Sequence, residues 1–565
     1  MPHSPSAGPA APQRGPLLAP RLTKASSPRW FSIETPETVV TLLSIRYQRS
    51  GAVLPLVVIT GGAEYGTMNA RSSRYAAPGP NARGAAAFIA SVFRSPLDGY
   101  VRLSARYGDT IRVPYRPGNS LYLLTRPEHA EHVLAANQDN YVKAFTYRPL
   151  RALIGDGLLT SEGERWRRHR RLVQPVFSRR HVTTFGPAMS EAAQRLTARW
   201  ESLAEGTVIN VAGQMSAVAL DIVGQALFGS DLSRDAELMG RATDAGQRVA
   251  TLATFLPLPW GPASTRALKS VARRVGHTPE GIEGPVGRIV SERRAAGPGA
   301  VPPRDLLDVL LTARAADGSP LTDAEIGDEV ATFMLAGHET SANTLAWSLA
   351  LLSAYPSARR QLEAELDSVL GDRDPDAGYA DKLRWTRAVV AEAMRLYPPA
   401  WTIERNALAD DEVAGVHIPA GSLVAVPPYL VHRHPDFWAD PAGFDPRRFL
   451  PEGEAPGWPA TEHAHGPEPC GSTAPVSRTQ NGGSTDLGPG HPAGRPRHRY
   501  AYIPFGGGRR ACVGASFAEL ETVLVLATVA RRYRLELTAG GIPAPSANIT
   551  LRPSRGLPMR LLRRG

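Results

Sequence analysis

Between Thr322 and Pro356 the chain carries one helix of roughly 32 residues. Thr322 and Glu325 stand at capping-box spacing, so a hydroxyl and a carboxylate can satisfy the first free N–H groups. Tyr355-Pro356 stops the run, because the residue before a proline is pushed out of the helical region. At 1.5 Å per residue such a helix is about 48 Å long. Its second half is largely apolar all round, so it has to cross the interior. In its middle, Ala336-Gly-His-Glu-Thr-Ser341 puts a glycine, an acid and hydroxyls where a buried helix disfavours them. The Thr340 hydroxyl can bond the Ala336 carbonyl four residues back and bend the helix. On this segment alone, that reading and an ordinary satisfied buried threonine stand level.

At 565 residues, 42% hydrophobic and 21% charged, the chain can bury a large core and has the composition of an ordinary soluble protein. Its two cysteines, Cys470 and Cys512, are too few for a disulfide framework or a four-cysteine zinc site. They fit a reduced, cytoplasmic setting. The net charge of +11 rests on arginine: of 64 basic residues only Lys24, Lys143, Lys269 and Lys382 are lysines. With so much Ala, Gly and Pro, that bias reflects a GC-rich genome. No arginine-rich block with interleaved aromatics is present, so no nucleic-acid partner is expected. The longest apolar run, residues 52–60, is less than half of the roughly 20 residues a spanning helix needs. The amino terminus lacks the order of a signal peptide. Neither a membrane span nor secretion is expected.

Residues 1–77 are rich in Pro, Ser, Ala and Gly and read as a disordered extension. The globular domain is expected over 78–565, interrupted by a low-complexity insertion at about 453–498 that contains Cys470. Helical patterns dominate the domain, with short strand-like runs at 110–114 and 120–125. A second helix is expected over 381–397, stopped by Pro398-Pro399. It holds Glu392 and Arg395, three apart and on one face. Trp166-Arg-Arg-His-Arg170 places an indole N–H and a guanidinium one turn apart, a pair suited to a shared anion. Seen singly, each of these is matched by a plain surface reading.

The sharpest segment is Phe505-Gly-Gly-Gly-Arg-Arg-Ala-Cys-Val-Gly514. A strand-like run at 499–504 precedes it and a helical run of about twenty residues follows. It lacks the third glycine of a dinucleotide loop and the Gly-Lys-Ser/Thr of a phosphate loop. What remains is a cysteine at a helix start, beside Arg510, where dipole and charge favour the thiolate. Flanking glycines let a planar group approach the backbone, and an axial thiolate ligand of haem iron wants such surroundings.

These residues resemble the cytochrome P450 family. Phe505, Gly508, Arg510, Cys512 and Gly514 fit its haem-ligand signature. Trp166-x-x-x-Arg170, Ala336-Gly-x-Glu-Thr340, Glu392-x-x-Arg395 and Pro446-Arg-Arg-Phe449 follow in the family's order. Arg447 stands where the family usually has glutamate, while Arg448 is in place.

The resemblance implies a mainly α fold with a small β-rich lobe and a long central helix over the haem. It implies a monomeric haem-thiolate monooxygenase with haem b, O2 as co-substrate, and NAD(P)H used through a separate ferredoxin and ferredoxin reductase. Cys512 would be the axial ligand. Phe505, Gly506 and Gly514 would lie against the haem, and Arg510, Trp166, Arg170 and Arg405 would meet its propionates. Glu339 and Thr340 would relay protons for oxygen activation, while Glu392, Arg395 and Arg448 would form a buried structural triad. Phe145, Tyr147, Phe333, Ala336, Trp401, Thr402 and Ile403 are expected to line a pocket for a lipophilic terpene, fatty acid or polyketide. The other class of function is a haem protein that binds ligands or senses gas without turnover; intact Glu339-Thr340 argues against it.

Overall fold

The computed structural model describes residues 30–35, 38–46, 53–61, 77–92, 95–116, 118–232, 234–254, 262–274, 279–297, 304–314, 318–451, 498–538 and 541–564. Most of the tract at 453–498, with Cys470, lies outside them. Two compact units divide the chain, Met1–Tyr65 and Gly66–Gly565. The first contains an antiparallel three-stranded sheet of Trp30–Thr35, Thr38–Arg46 and Val53–Gly61, within a stretch whose sequence reading expected no element. That reading searched for sustained amphipathic periods. The strands are instead runs of Val, Ile, Leu and Thr, which favour extended backbone without one.

The second unit is mostly helical. Its long helix runs from Asp323 to Ala354, 32 residues, with Thr322 as N-cap and both hydrogen bonds of the capping box formed to Glu325. From Glu329 to Leu352 every residue is buried except Ala336, Gly337 and Thr340. Those three share one face, so the helix crosses the core and opens at one point along its length. Gly337 has a packing reason: a Cβ there would come within 2.9 Å of Val223 on the neighbouring helix Val211–Phe228. Among the described residues, that neighbour is long and apolar enough to cross a membrane, yet 67% of it is buried here against the core.

The Glu392 helix spans Arg384–Leu396 and starts three residues later than its sequence suggests. Residues 381–383 turn instead, and the free N–H groups of Trp385 and Thr386 are taken by the Glu365 carboxylate at 2.6 and 2.9 Å. This cap comes from another helix, Pro356–Leu370, so no local pattern reveals it.

The β-rich lobe is a five-stranded sheet in the order Thr110–Arg116, Asn119–Leu124, Leu423–Val426, Ile403–Ala407, Tyr141–Lys143. The first two strands contain the strand-like runs expected at 110–114 and 120–125 and pair antiparallel, with a bulge between Pro114 and Arg116. This sheet carries Lys143 and Arg405 to the site from opposite ends of the sequence.

Candidate active site

The cysteine loop is wound tightly by its own backbone. The expected strand at 499–504 is absent: Arg499–Ala501 is a 3-10 turn, capped by the His498 side chain accepting from Tyr500 N–H. The Ile503 carbonyl accepts the Gly506 N–H at 3.0 Å, and the Phe505 carbonyl accepts the Cys512 N–H at 2.8 Å. Gly506 and Gly508 take φ of 74° and 65°, backbone that other residues rarely adopt. Gly508 also has no room for a Cβ, which would fall 1.8 Å from the Leu134 carbonyl oxygen. After Gly514 the chain enters the helix Ala515–Arg532.

Cys512 is exposed by surface area, although protein surrounds it closely enough that burial pushes its thiol pKa up. Both statements hold if the sulfur faces an internal space. The Gly514 N–H and the Arg170 charge pull the other way. The cation acting on the sulfur is therefore Arg170, not the adjacent Arg510. Arg170 donates to the Ala511 carbonyl at 2.9 Å, beside the cysteine, and its helix also carries Trp166 one turn away, among the other expected propionate contacts.

Those contacts form a second group. The Arg510 guanidinium stacks 4.2 Å above the Trp166 ring and pairs with Glu162. Burial first, offset by Glu162 and reinforced by Arg405, brings its pKa down to about 10. Lys143 joins them. Burial, then Arg405 and Arg510, push its pKa well down, and it has no ion pair among the described residues. Its ammonium lies 5.0 Å from the Tyr147 ring. Arg405 is buried and Lys143 and Arg510 are half-buried. Glu162 offsets the latter two and Glu404 lies by Arg405, so three cations gather around two carboxylates and leave a site for anions.

On the central helix Thr340 Oγ1 donates to the Ala336 carbonyl at 2.8 Å, the back-bond expected from the sequence. Glu339 is buried. Thr550 Oγ1 donates to it at 2.6 Å, and Gln247 Nε2 donates to its other oxygen. Two residues on, Ser341 donates at 2.5 Å to Glu521, whose carboxyl is pushed up to about 8 by burial and whose second oxygen has no partner among the described residues. His338 bonds only its own helix, at the Met334 carbonyl.

Glu392 and Arg395 are fully buried and joined by two bonds of 2.7 Å. Arg395 also donates to the carbonyls of His432, Pro441 and Gly443, which uses all five of its N–H groups. Arg448 Nε lies 3.4 Å from Glu392, close enough for charge attraction but without a formed hydrogen bond. Asp445 binds Arg447 through both oxygens at 2.8 Å, which accounts for the arginine at that position.

The expected pocket residues separate into two sets. Ala336, Phe145, Tyr147 and Thr402 are partly exposed, and the Thr402 hydroxyl has no partner. Phe333 stacks on Phe177 at 5.3 Å, Trp401 packs on Tyr100 and donates to the Asn548 carbonyl, and Ile403 is buried among the sheet's side chains. These three are core. A separate open cleft of about 890 Å³ lies by the first half of the central helix, near Arg151, Ile154, Lys269 and Asp328. It contains none of the residues around Cys512, so the chemistry sits elsewhere.

The cytochrome P450 family profile matches residues 84–557, with the cysteine loop, the central helix and the buried ion pair all inside it. This chain belongs to the cytochrome P450 family. A putative cytochrome P450 132 of Mycobacterium tuberculosis is 33% identical over 452 residues, covering 78% of this chain and 87% of its own. Pentalenene oxygenase of Streptomyces avermitilis is 30% identical over 475 residues, covering 84% of this chain and 94% of its own. The crystal structure of the cytochrome P450DA heme domain aligns with a TM-score of 0.68 at 25% identity, covering 86% of this chain and 97% of that one.

As a P450 monooxygenase the protein uses haem b, O2 and NAD(P)H, with electrons passed through redox proteins. The donor set fits that group: a soft sulfur stands just ahead of a helix with the Arg170 charge acting on it, and cations outnumbering their carboxylates cluster where acid side chains of a cofactor could pair with them. Sequence reasoning missed Lys143, Gln247, Thr550 and Glu521 as members of this P450's site. One of only four lysines among 64 basic residues, Lys143 was the signal that was there to be read.

Proposed function

We propose that this P450 hydroxylates or epoxidises a terpene-like hydrocarbon, taking electrons from a ferredoxin and its reductase. The observation that carries the reading is the partly exposed face of Ala336, Gly337 and Thr340 in an otherwise buried helix. An apolar substrate and the reacting oxygen can meet there. The 30% identity to pentalenene oxygenase supports the substrate class. In this reading residues 78–565 form the haem domain, and 1–77 and 453–498 are appendages to it.

Cys512 would hold the haem iron as thiolate, and Lys143, Arg405 and Arg510, with Trp166 beneath Arg510, would hold the propionates. When bound, the haem supplies the activation of O2 that puts one oxygen atom into a C–H or C=C bond and reduces the other to water. The chain's own residues govern protons and water. Thr340 Oγ1, released from the Ala336 carbonyl, would carry a proton into the groove, and Glu339, held by Gln247 and Thr550, would replenish it. Half-buried Phe145 and Tyr147 would exclude bulk water from one side.

The test is a substrate-induced spin-state titration of the holoprotein against terpene hydrocarbons, fatty acids and macrolides, followed by turnover with ferredoxin, reductase and NADPH. A spin shift and an oxygenated product with a terpene are expected. Shifts confined to fatty acids or macrolides would overturn the substrate class. Tight ligand binding without substrate-dependent O2 consumption would favour a sensor instead.

A further inference from the structure

Behind the cysteine loop lies a histidine that none of the sequence motifs includes. His432 is fully buried, and each ring nitrogen has a backbone partner. Nε2 lies 2.8 Å from the Ile503 nitrogen, and Nδ1 lies 3.3 Å from the Arg395 carbonyl oxygen. A carbonyl can only accept and an N–H can only donate, so Nδ1 carries the hydrogen and Nε2 the lone pair. The tautomer is fixed by its two neighbours. Burial first, and then the Arg395 charge, push the ring's pKa down to about 3, so it is neutral at working pH. Arg395 Nη1 in turn donates to the His432 carbonyl at 3.0 Å. Each side chain holds the other's main chain.

Ile503 is where the chain turns into the loop. Its carbonyl accepts from Gly506, and the Phe505 carbonyl accepts from Cys512. A continuous path of hydrogen bonds and short backbone thus runs from the Glu392–Arg395 pair, through the imidazole, to the cysteine. A parallel tether exists, since the Tyr502 hydroxyl donates to the Ala391 carbonyl at 2.9 Å. That tether leaves the loop attached when His432 is changed, but it does not reach the Ile503 N–H.

We propose that neutral His432 is a positioning residue that locks the Cys512 loop against the Glu392–Arg395 pair and thereby keeps the cysteine in place on the haem. This rests on the reading of Cys512 as axial ligand. Loss of the Ile503 bond frees the first residues of the loop, so the sulfur is no longer held at one position and its bond to the cofactor weakens.

The two ring nitrogens can be tested separately. Glutamine puts a carbonyl oxygen near the place of Nε2, whereas asparagine puts an amide N–H near the place of Nδ1. In full-length holoprotein at equal haem loading, the reduced CO spectrum and the ferric/ferrous midpoint potential are measured for wild type, His432→Gln, His432→Asn and His432→Leu, with melting temperature alongside. Wild type and His432→Gln should keep the red-shifted Soret band. His432→Asn and His432→Leu should lose most of it, and their potential should move positive as thiolate donation weakens. If His432→Leu does not fold, the Gln and Asn pair decides alone. Equal spectra and potentials for Gln and Asn, whether both retained or both lost with stability, would overturn the positioning role. A wild-type protein without the red-shifted band would overturn the thiolate reading itself, and this proposal with it.

Discussion

The two sides of the site are built in different ways. Behind Cys512 the polar groups are nearly all satisfied: Arg395 uses every N–H it has, Glu392 accepts from Arg395 and from the Asp445 N–H, and His432 is bonded at both nitrogens. Arg448 Nε and the indole N–H of Trp438, whose ring lies against Arg395, are exceptions there. On the central-helix side, the second oxygen of Glu521 and the Gln247 carbonyl oxygen are buried with no partner among the described residues. Satisfied networks of charge rigidify, while orphaned polar groups mark places that water or substrate complete. One side holds a cofactor ligand still, and the other has bonds left to make during turnover.

The contrast breaks most visibly at Glu392. Glu392→Ala leaves Arg395 and Arg448 buried without their carboxylate, a loss of about 3–5 kcal/mol for a buried pair. A much lower melting temperature and haem content are expected by thermal denaturation and pigment assay. Values like those of wild type would mean that this side is no more rigid than the other.

On the opposite side, Thr340→Ala removes one side-chain hydrogen bond and should cost about 1 kcal/mol or less. Haem content stays, but product formed per NADPH should fall as reducing equivalents leave as peroxide or water. Unchanged coupling would exclude Thr340 from proton delivery.

A further effect is on pH dependence. The folded pKa of Glu521 is raised to about 8, above its unfolded value near 4.3. Between those values the native state holds a proton that the unfolded state has lost, so stability falls as pH rises from about 5 to 8. Glu521→Gln cannot titrate and should flatten that slope in melting-temperature measurements. An equal slope in both proteins would remove the buried acid from the helix side of the site.

What the sequence made legible follows the same division. The cysteine loop, the Glu392–Arg395 pair and the capped ends of the central helix are each written within a few consecutive residues, so local spacing reveals them. The clamp on Glu339 joins residues 92 and 211 positions apart, and only the packed fold brings Gln247 and Thr550 to it. Lys143 reaches Arg405 across a sheet whose strand order is non-local. Phe333 and Trp401 show a related difficulty, since their stacking partners Phe177 and Tyr100 are distant in sequence. Arg168 turns inward to Glu325, although its neighbours Arg167 and Arg171 stay exposed and share Glu164, a split that helical spacing alone could not assign.

The account depends above all on the sulfur of Cys512. The direct measurement is the reduced CO difference spectrum of wild type and Cys512→Ser at matched haem content. The red-shifted Soret band should be present in wild type and gone in the variant, because Cys470 lies 42 residues away and outside the loop wound by Phe505 and Gly506. A variant that keeps the band would show that another group holds the iron, and the arrangement behind Cys512 would need a different purpose.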